Sequence, residues 1–356
     1  MLNFTVGPVM VEKAIRNIAG EQIPYFRTED FSEVVQQCER HLLSLLSAPK
    51  DSRCVLLTAS GTGAMEASVM HLIGTQDKSL IVNGGTFGER FFKLCQLHGL
   101  QADALRVPFG RTLTADMLAP YDGQDYTVML VNMHETSSGV LYDMKLIADF
   151  CKRNEMFLIV DAISSFIADG LDMEKLGVGA VILSSQKALA LAPGLSMVVL
   201  SPEGVARVMV LPDKSLYLSL KEALKDGSRG QTPYTPAVMT ILQLDERLRR
   251  LSEPGVFASE QAAIADRARR FRMFIQALPL EAFAETPSNS VTAVRPLTIR
   301  ADEIVKRMYI EHGIWICPNG GSYADSIFRV GHIGCITDVD MDRLERALCD
   351  VMGELS

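Results

Sequence analysis

Between Cys54 and Leu200 the chain alternates short apolar runs with segments whose apolar residues recur every three or four positions. The short runs read as strands and the longer periodicity as helices. Strands are expected at Cys54–Thr58, Leu80–Val82, Ala102–Val107, Thr127–Val131, Met156–Val160, Ala180–Leu183 and Leu195–Leu200. Between them, helices are expected at Ala64–Ile73, Arg90–His98 and Leu146–Asn154, with another upstream at Phe31–Leu46. Such alternation predicts an α/β fold: a mostly parallel sheet with helices on both faces. Residues 1 to about 30 read instead as an irregular arm, because Gly7-Pro8 and Pro24-Tyr25-Phe26-Arg27 show no period. Its Phe4, Tyr25 and Phe26 are expected to lie against an apolar surface.

Beyond about residue 205 the pattern weakens. A helix is expected at Ser215–Leu224, followed by an irregular Gly230–Pro236 with two prolines three apart. Helices Ala237–Leu251 and Glu260–Leu278 come next. Strands at Ser290–Arg295, Trp315–Cys317 and Ile327–Val330, with a helix at Asp302–His312, suit a smaller α+β unit. Thr337 and Asp340 are spaced as a capping box for a last helix, Val339–Gly353. The expected organisation is an arm at 1–25, a large domain at 26–254 and a small C-terminal domain at 255–356.

Composition narrows the function classes. A net charge of −8 and a pI near 5.4 argue against a nucleic-acid surface. No apolar run approaches transmembrane length, and the N-terminus has neither the basic nor the apolar region of a signal peptide. Seven scattered cysteines without a C-x-x-C pair suit reduced thiols in the cytoplasm, and the six histidines show no metal-ligand spacing. No metal is expected.

In a parallel α/β sheet, ligands bind beyond the carboxyl ends of the strands. The residues placed there are Ser60-Gly61-Thr62, Phe87, Glu135-Thr136, Asp161 and Ser185-Gln186-Lys187. Each carries two readings. Lys187, between two apolar runs, is either a surface lysine in a turn or a desolvated amine of the kind a Schiff base requires. Ser60-Gly61-Thr62-Gly63 is a plain helix cap or an anion cradle, since glycines admit an anion to the helix N-terminus. Asp161 caps a turn or holds a proton on a heteroaromatic nitrogen. Phe87 fills space or covers a ring. Arg329, inside a short apolar strand, needs an anion: a structural carboxylate or that of a substrate.

Seven stretches in order resemble the class V, fold type I aminotransferases that use pyridoxal 5'-phosphate. They are Thr5–Pro8, Ala59–Ala67, Asn83–Gly88, His134–Gly139, Val160–Phe166, Ser184–Leu189 and Phe328–Gly334. The similarity is to the branch holding 2-aminoethylphosphonate–pyruvate, alanine–glyoxylate and serine–pyruvate transaminases. It implies a seven-stranded large-domain sheet and a homodimer with shared active sites. It implies Lys187 as the residue that bonds the cofactor and moves the proton, and Asp161 at the pyridine nitrogen. Phe87 would stack on the ring, and Thr136 would lie near its phenolic oxygen. Ser60, Gly61, Thr62 and Gln186 would hold the phosphate, with Thr235 reaching the partner subunit's phosphate. Gly7 would line the substrate pocket and Arg329 would clamp the substrate carboxylate. The family often has Tyr or Trp where this chain has Phe87, and Trp315–Ser322 has no assigned counterpart.

The expected activity is transfer of an amino group from alanine, serine or 2-aminoethylphosphonate to pyruvate or glyoxylate. The alternatives are another class V enzyme, a lyase or a cysteine desulfurase, or a non-catalytic cofactor-binding regulator. A desulfurase needs a mobile nucleophilic cysteine, and Cys317 reads as the only one near a loop.

Overall fold

The structure, a computed structural model, describes residues 1–353; the last three positions of the expected C-terminal domain, 354–356, lie outside them. In chain order the strands are β1 (Leu2–Phe4), β2 (Arg53–Leu57), β3 (Lys78–Asn83), β4 (Gln101–Arg106), β5 (Val128–Asn132), β6 (His134–Glu135) and β7 (Val140–Leu141). They continue with β8 (Phe157–Asp161), β9 (Ala180–Ser184), β10 (Ser196–Leu200), β11 (Leu280–Ala282), β12 (Val291–Pro296), β13 (Ile314–Pro318) and β14 (Phe328–Gly331).

Seven strands form one sheet in the order β2-β10-β9-β8-β5-β3-β4. β10 runs antiparallel to both its neighbours, and the other pairings are parallel. The expectation of a mostly parallel α/β sheet therefore holds. β5, β8, β9 and β10 are buried at every position. A strand covered on both faces reads as a continuous apolar run, which is why these were legible. One face packs on residues such as Leu42, Ile147 and Ile241, the other on Met65, Phe91 and Val208. A second sheet of five strands, β1-β13-β14-β12-β11, carries its own core with Phe271, Met308 and Leu344. Among the described residues no helix is long and apolar enough to cross a membrane.

Several expectations are corrected. The N-terminal arm is not irregular throughout. Leu2–Phe4 is a strand paired in parallel with β13, and Lys13–Ile18 is helical. Three residues make no strand alone; the pairing comes from β13, and Leu2 and Phe4 are buried by it. The helices expected from Ala64 and Arg90 begin earlier, at Gly61 and Thr86, and span Gly61–Leu72 and Thr86–Leu97, so Phe87 lies in a first helical turn. The helix expected at Ser215–Leu224 spans Leu220–Gly227, because Ser219 caps it by accepting from the Glu222 N–H. The helix expected from Glu260 begins at Val256, after Gly255 in the left-handed region at φ 81°. The helix Pro202–Val210, the β6–β7 hairpin and β11 went unread. At Thr337 and Asp340 the capping box forms reciprocally, at 3.0 and 3.3 Å.

Candidate active site

β8 delivers Asp161, and its parallel neighbour β9 runs through Ser184 towards Lys187. The loop after β9 closes on itself. Ser185 Oγ donates to the Ala192 carbonyl at 2.7 Å, and the Ala190 N–H to the Lys187 carbonyl at 2.8 Å. Lys187 is thereby held over the carboxyl edge of the sheet. A cavity of about 80 Å³ opens there. It is lined by Ser60, Gly61, Thr62, Phe87, Thr136, Asp161, Gln186 and Lys187, with Met65, Arg90, Ile163 and Ser164. Eight positions singled out in the sequence thus meet in one place.

The electrostatics move an amine and a carboxyl group out of their ordinary ranges, each towards its neutral form. Lys187 keeps some exposed surface, but its dense surroundings push the amine down to about 8, against the opposing pull of Asp161. Burial pushes Asp161 up to about 6, although its carboxylate accepts from the Ile163 N–H at 2.8 Å and from Asn132 Nδ2 at 2.6 Å. The Lys187 amine lies 5.6 Å from the centroid of the Phe87 ring, and the Arg90 guanidinium carbon lies 4.7 Å from it. Arg90 also donates to Thr62 Oγ1 at 3.0 Å.

Ser60 occupies the cap position of the Gly61–Leu72 helix, yet its hydroxyl makes no cap bond. The Gly63 N–H donates instead to the Ser60 carbonyl at 2.8 Å, and the hydroxyl is left uncommitted at the helix N-terminus. A Cβ on Gly61 would come within 2.5 Å of Ile163 Cδ1 and 3.2 Å of Ser184 Cβ, so a side chain there would have to displace the Ile163 methyl. Gln186 Oε1 accepts from Ser184 Oγ at 2.6 Å. Gly7, at φ +137°, brings the arm so close that a Cβ would sit 2.9 Å from Lys187 Cγ.

Arg329 reaches the same region from β14. Its Nη1 donates to the Thr136 carbonyl at 3.2 Å, and its Nη2 to the Pro318 carbonyl at 2.6 Å and to Cys317 Sγ at 3.2 Å. Its Nε is buried without a partner, and among the described residues no carboxylate forms an ion pair with it. Thr235 lies apart, exposed beside a recess lined by Thr58 and Tyr217. Cys317 is within β13, and Cys335 is the exposed loop thiol, which corrects the reading of Cys317 as the only cysteine near a loop.

Sequence reasoning assigned no role to Arg90, Asn132 or Glu135. Arg90 stands one helical turn after Phe87, a spacing that places both on one face. Glu135 accepts from the N–H groups of Phe87 and Gly88, both at 3.1 Å, and from Ser137 Oγ at 2.5 Å. It anchors the start of the Thr86–Leu97 helix beneath the Phe87 ring.

The model of the family described as "Aminotransferase class-V" matches residues 22–320. A soluble hydrogenase small subunit of Synechococcus sp. is 29% identical, over 98% of this chain and 92% of its own length. An L-aspartate–glyoxylate aminotransferase of Paracoccus denitrificans is 27% identical, over 94% of this chain and 87% of its own. The solved aspartate aminotransferase of subgroup IV from Thermus thermophilus superposes with a TM-score of 0.92 at 25% identity, covering 100% of both chains. With the family match spanning most of its length, and Lys187 and Asp161 lining one cavity at the sheet edge, the chain belongs to the class V aminotransferases, enzymes that depend on pyridoxal 5'-phosphate.

Proposed function

We propose that this protein takes the amino group of a small amino acid or aminophosphonate, namely alanine, serine or 2-aminoethylphosphonate, and passes it to pyruvate or glyoxylate in two half-reactions. The observation that carries this is Arg329, a largely buried guanidinium with no carboxylate partner among the described residues and a buried Nε left open. A buried cation without an anion is costly, and a substrate carboxylate supplies the missing charge.

The donor set fits the cofactor. Lys187 would bond its aldehyde. The uncommitted Ser60 hydroxyl, the N–H groups of Gly61 and Thr62, and Gln186 would take its phosphate. Asp161 would keep its ring nitrogen protonated, Phe87 would cover the ring, and Thr136 would serve its phenolic oxygen. When bound, the group supplies an electron sink for charge developing at the substrate Cα. The chain's own part is to position and to move protons. Lys187 Nζ, with a pKa near 8, is matched to carrying a proton away from Cα at neutral pH. Arg329 orients the substrate by its carboxylate, and Gly7 leaves room for it beside Lys187.

We read the working form as a cytoplasmic homodimer with shared active sites, in which Thr235 reaches the partner's phosphate. The exposed Tyr217 and Tyr234, stacked 5.5 Å apart beside Thr235, support a covered surface there. The arm at 1–25, the large domain at 26–254 and the small domain at 255–356 are the units of this reading. The test is a spectral titration of the cofactor-loaded protein with alanine, serine and 2-aminoethylphosphonate in turn. One of them is expected to convert the bound cofactor to its amine form, and pyruvate or glyoxylate to reverse the change. Absence of conversion by all three would remove this substrate class.

A further inference from the structure

A buried file of hydrogen bonds leaves the cavity at Thr136 and ends at Asp169. Thr136 Oγ1 and Ser164 Oγ are 2.9 Å apart, and Ser164 Oγ and His134 Nδ1 are also 2.9 Å apart. His134 Nδ1 lies 2.9 Å from Ser290 Oγ, and Ser290 Oγ 2.9 Å from Ser288 Oγ. Ser288 Oγ meets Asp169 Oδ2 at 2.5 Å. All six residues are buried.

The file has one consistent direction. The Asp169 carboxylate accepts from the Asn289 N–H at 3.1 Å and has the Arg272 guanidinium bound to the adjacent Ser288 carbonyl. As an anion it can only accept, so Ser288 donates to it. Ser288 has then spent its proton and accepts from Ser290. Ser290 has spent its own, so His134 donates from Nδ1. With Nδ1 protonated, Ser164 is left, among the described residues, with Thr136 Oγ1 as its acceptor. The Thr136 hydroxyl hydrogen is thereby freed towards the cavity. His134 Nε2, buried and without a partner, carries the bare lone pair.

We propose that Asp169, acting through Ser288 and Ser290, is a positioning residue that holds His134 as its Nδ1–H tautomer, so that Ser164 donates to Thr136 and the Thr136 hydroxyl hydrogen points into the cofactor pocket. A donor is what an anionic ring oxygen requires. This last step rests on the placement of Thr136 at the phenolic oxygen proposed above. The direction of the file does not. Asp169→Asn would reverse it as far as His134. Asn Oδ1 keeps the Asn289 N–H, Nδ2 donates to Ser288, and Ser288 and Ser290 turn over until Ser290 donates to the single lone pair of His134 Nδ1 and the ring proton moves to Nε2.

The experiment is nitrogen NMR of the six histidines in the protein stripped of cofactor, followed by titration with pyridoxal 5'-phosphate. His134 is expected as the Nδ1–H tautomer in the native chain and as Nε2–H in Asp169→Asn. Ser164→Ala, which cuts the file beyond His134, should keep Nδ1–H. Ser164→Ala, which removes the donor that fixes the Thr136 hydroxyl, should hold the cofactor roughly ten-fold more weakly. An Nε2–H tautomer in the native chain, an unswitched His134 in a folded Asp169→Asn, or unaltered cofactor affinity in Ser164→Ala would each overturn the proposal. If Asp169→Asn does not fold, the native tautomer and Ser164→Ala still decide it. Failure of the native chain to bind the cofactor would instead sink the placement of the cofactor itself.

Discussion

Arg329 Nη1 donates to the Thr136 carbonyl at 3.2 Å, tying β14 of the five-stranded sheet to the β6–β7 hairpin beside the large sheet. With Nη2 held by Pro318 and Cys317, the guanidinium is oriented before any substrate arrives. Arg329→Lys keeps the charge but cannot reproduce this planar fork. Steady-state kinetics with pyruvate or glyoxylate should show KM raised by roughly 10- to 100-fold, with kcat little changed. An unchanged KM would assign Arg329 to structure alone.

Lys187→Ala should remove both the covalent attachment and the proton carrier. The purified variant is expected to lose the visible chromophore that survives gel filtration in the native protein. Its half-reaction should slow by about 10⁴-fold or more. Stopped-flow absorbance with whichever of alanine, serine and 2-aminoethylphosphonate converts the native protein is the measurement. Retention of the chromophore would place the attachment elsewhere.

The carboxylate at 161 gives a pH signature in the protein without cofactor. Burial holds its folded pKa at about 6, above the ordinary 3.8. Between those values the folded protein binds a proton that the unfolded chain has released, so stability falls as pH rises through this window. Asp161→Asn removes the ionisation. The buried Asn132 Oδ1, which has no partner, can turn to accept from the new amide. Denaturant unfolding at pH 7 should show the variant more stable by on the order of 2 kcal/mol, with the gain gone below pH 4. Its half-reaction should nevertheless be slower by about 10²-fold or more.

Glu135 offers a fourth test. Its two oxygens accept from three backbone N–H groups and one hydroxyl. Glu135→Gln turns an NH₂ group towards donors, which costs about 1–3 kcal/mol of stability. Chemical denaturation should report that loss, and weaker retention of pyridoxal 5'-phosphate should accompany it as Phe87 loses its anchored backbone.

The candidate site was legible to the extent that it lies next to strands. Asp161 and Lys187 stand out because each follows a run buried on both faces, and only chemistry or pairing keeps such groups there. Arg90 was not legible, because an arginine on a helix reads as solvated surface until the ring it covers is located. Helix beginnings were misplaced at Gly61 and Thr86 for a related reason. Glycine and threonine look like turn residues, and only the completed sheet shows that the turn is already helical.

By itself the sequence determined the strands of the large sheet, the positions at their carboxyl ends and the kinds of group available there. Apolar periodicity is local, and a buried strand must carry it in consecutive residues. Only the tertiary structure decided that Leu2–Phe4 pairs with β13, that Gly7 abuts Lys187, and that His134 meets Ser290 across 156 positions. Those contacts form when distant segments close on one another, and no local pattern records which hydroxyl a buried imidazole will find.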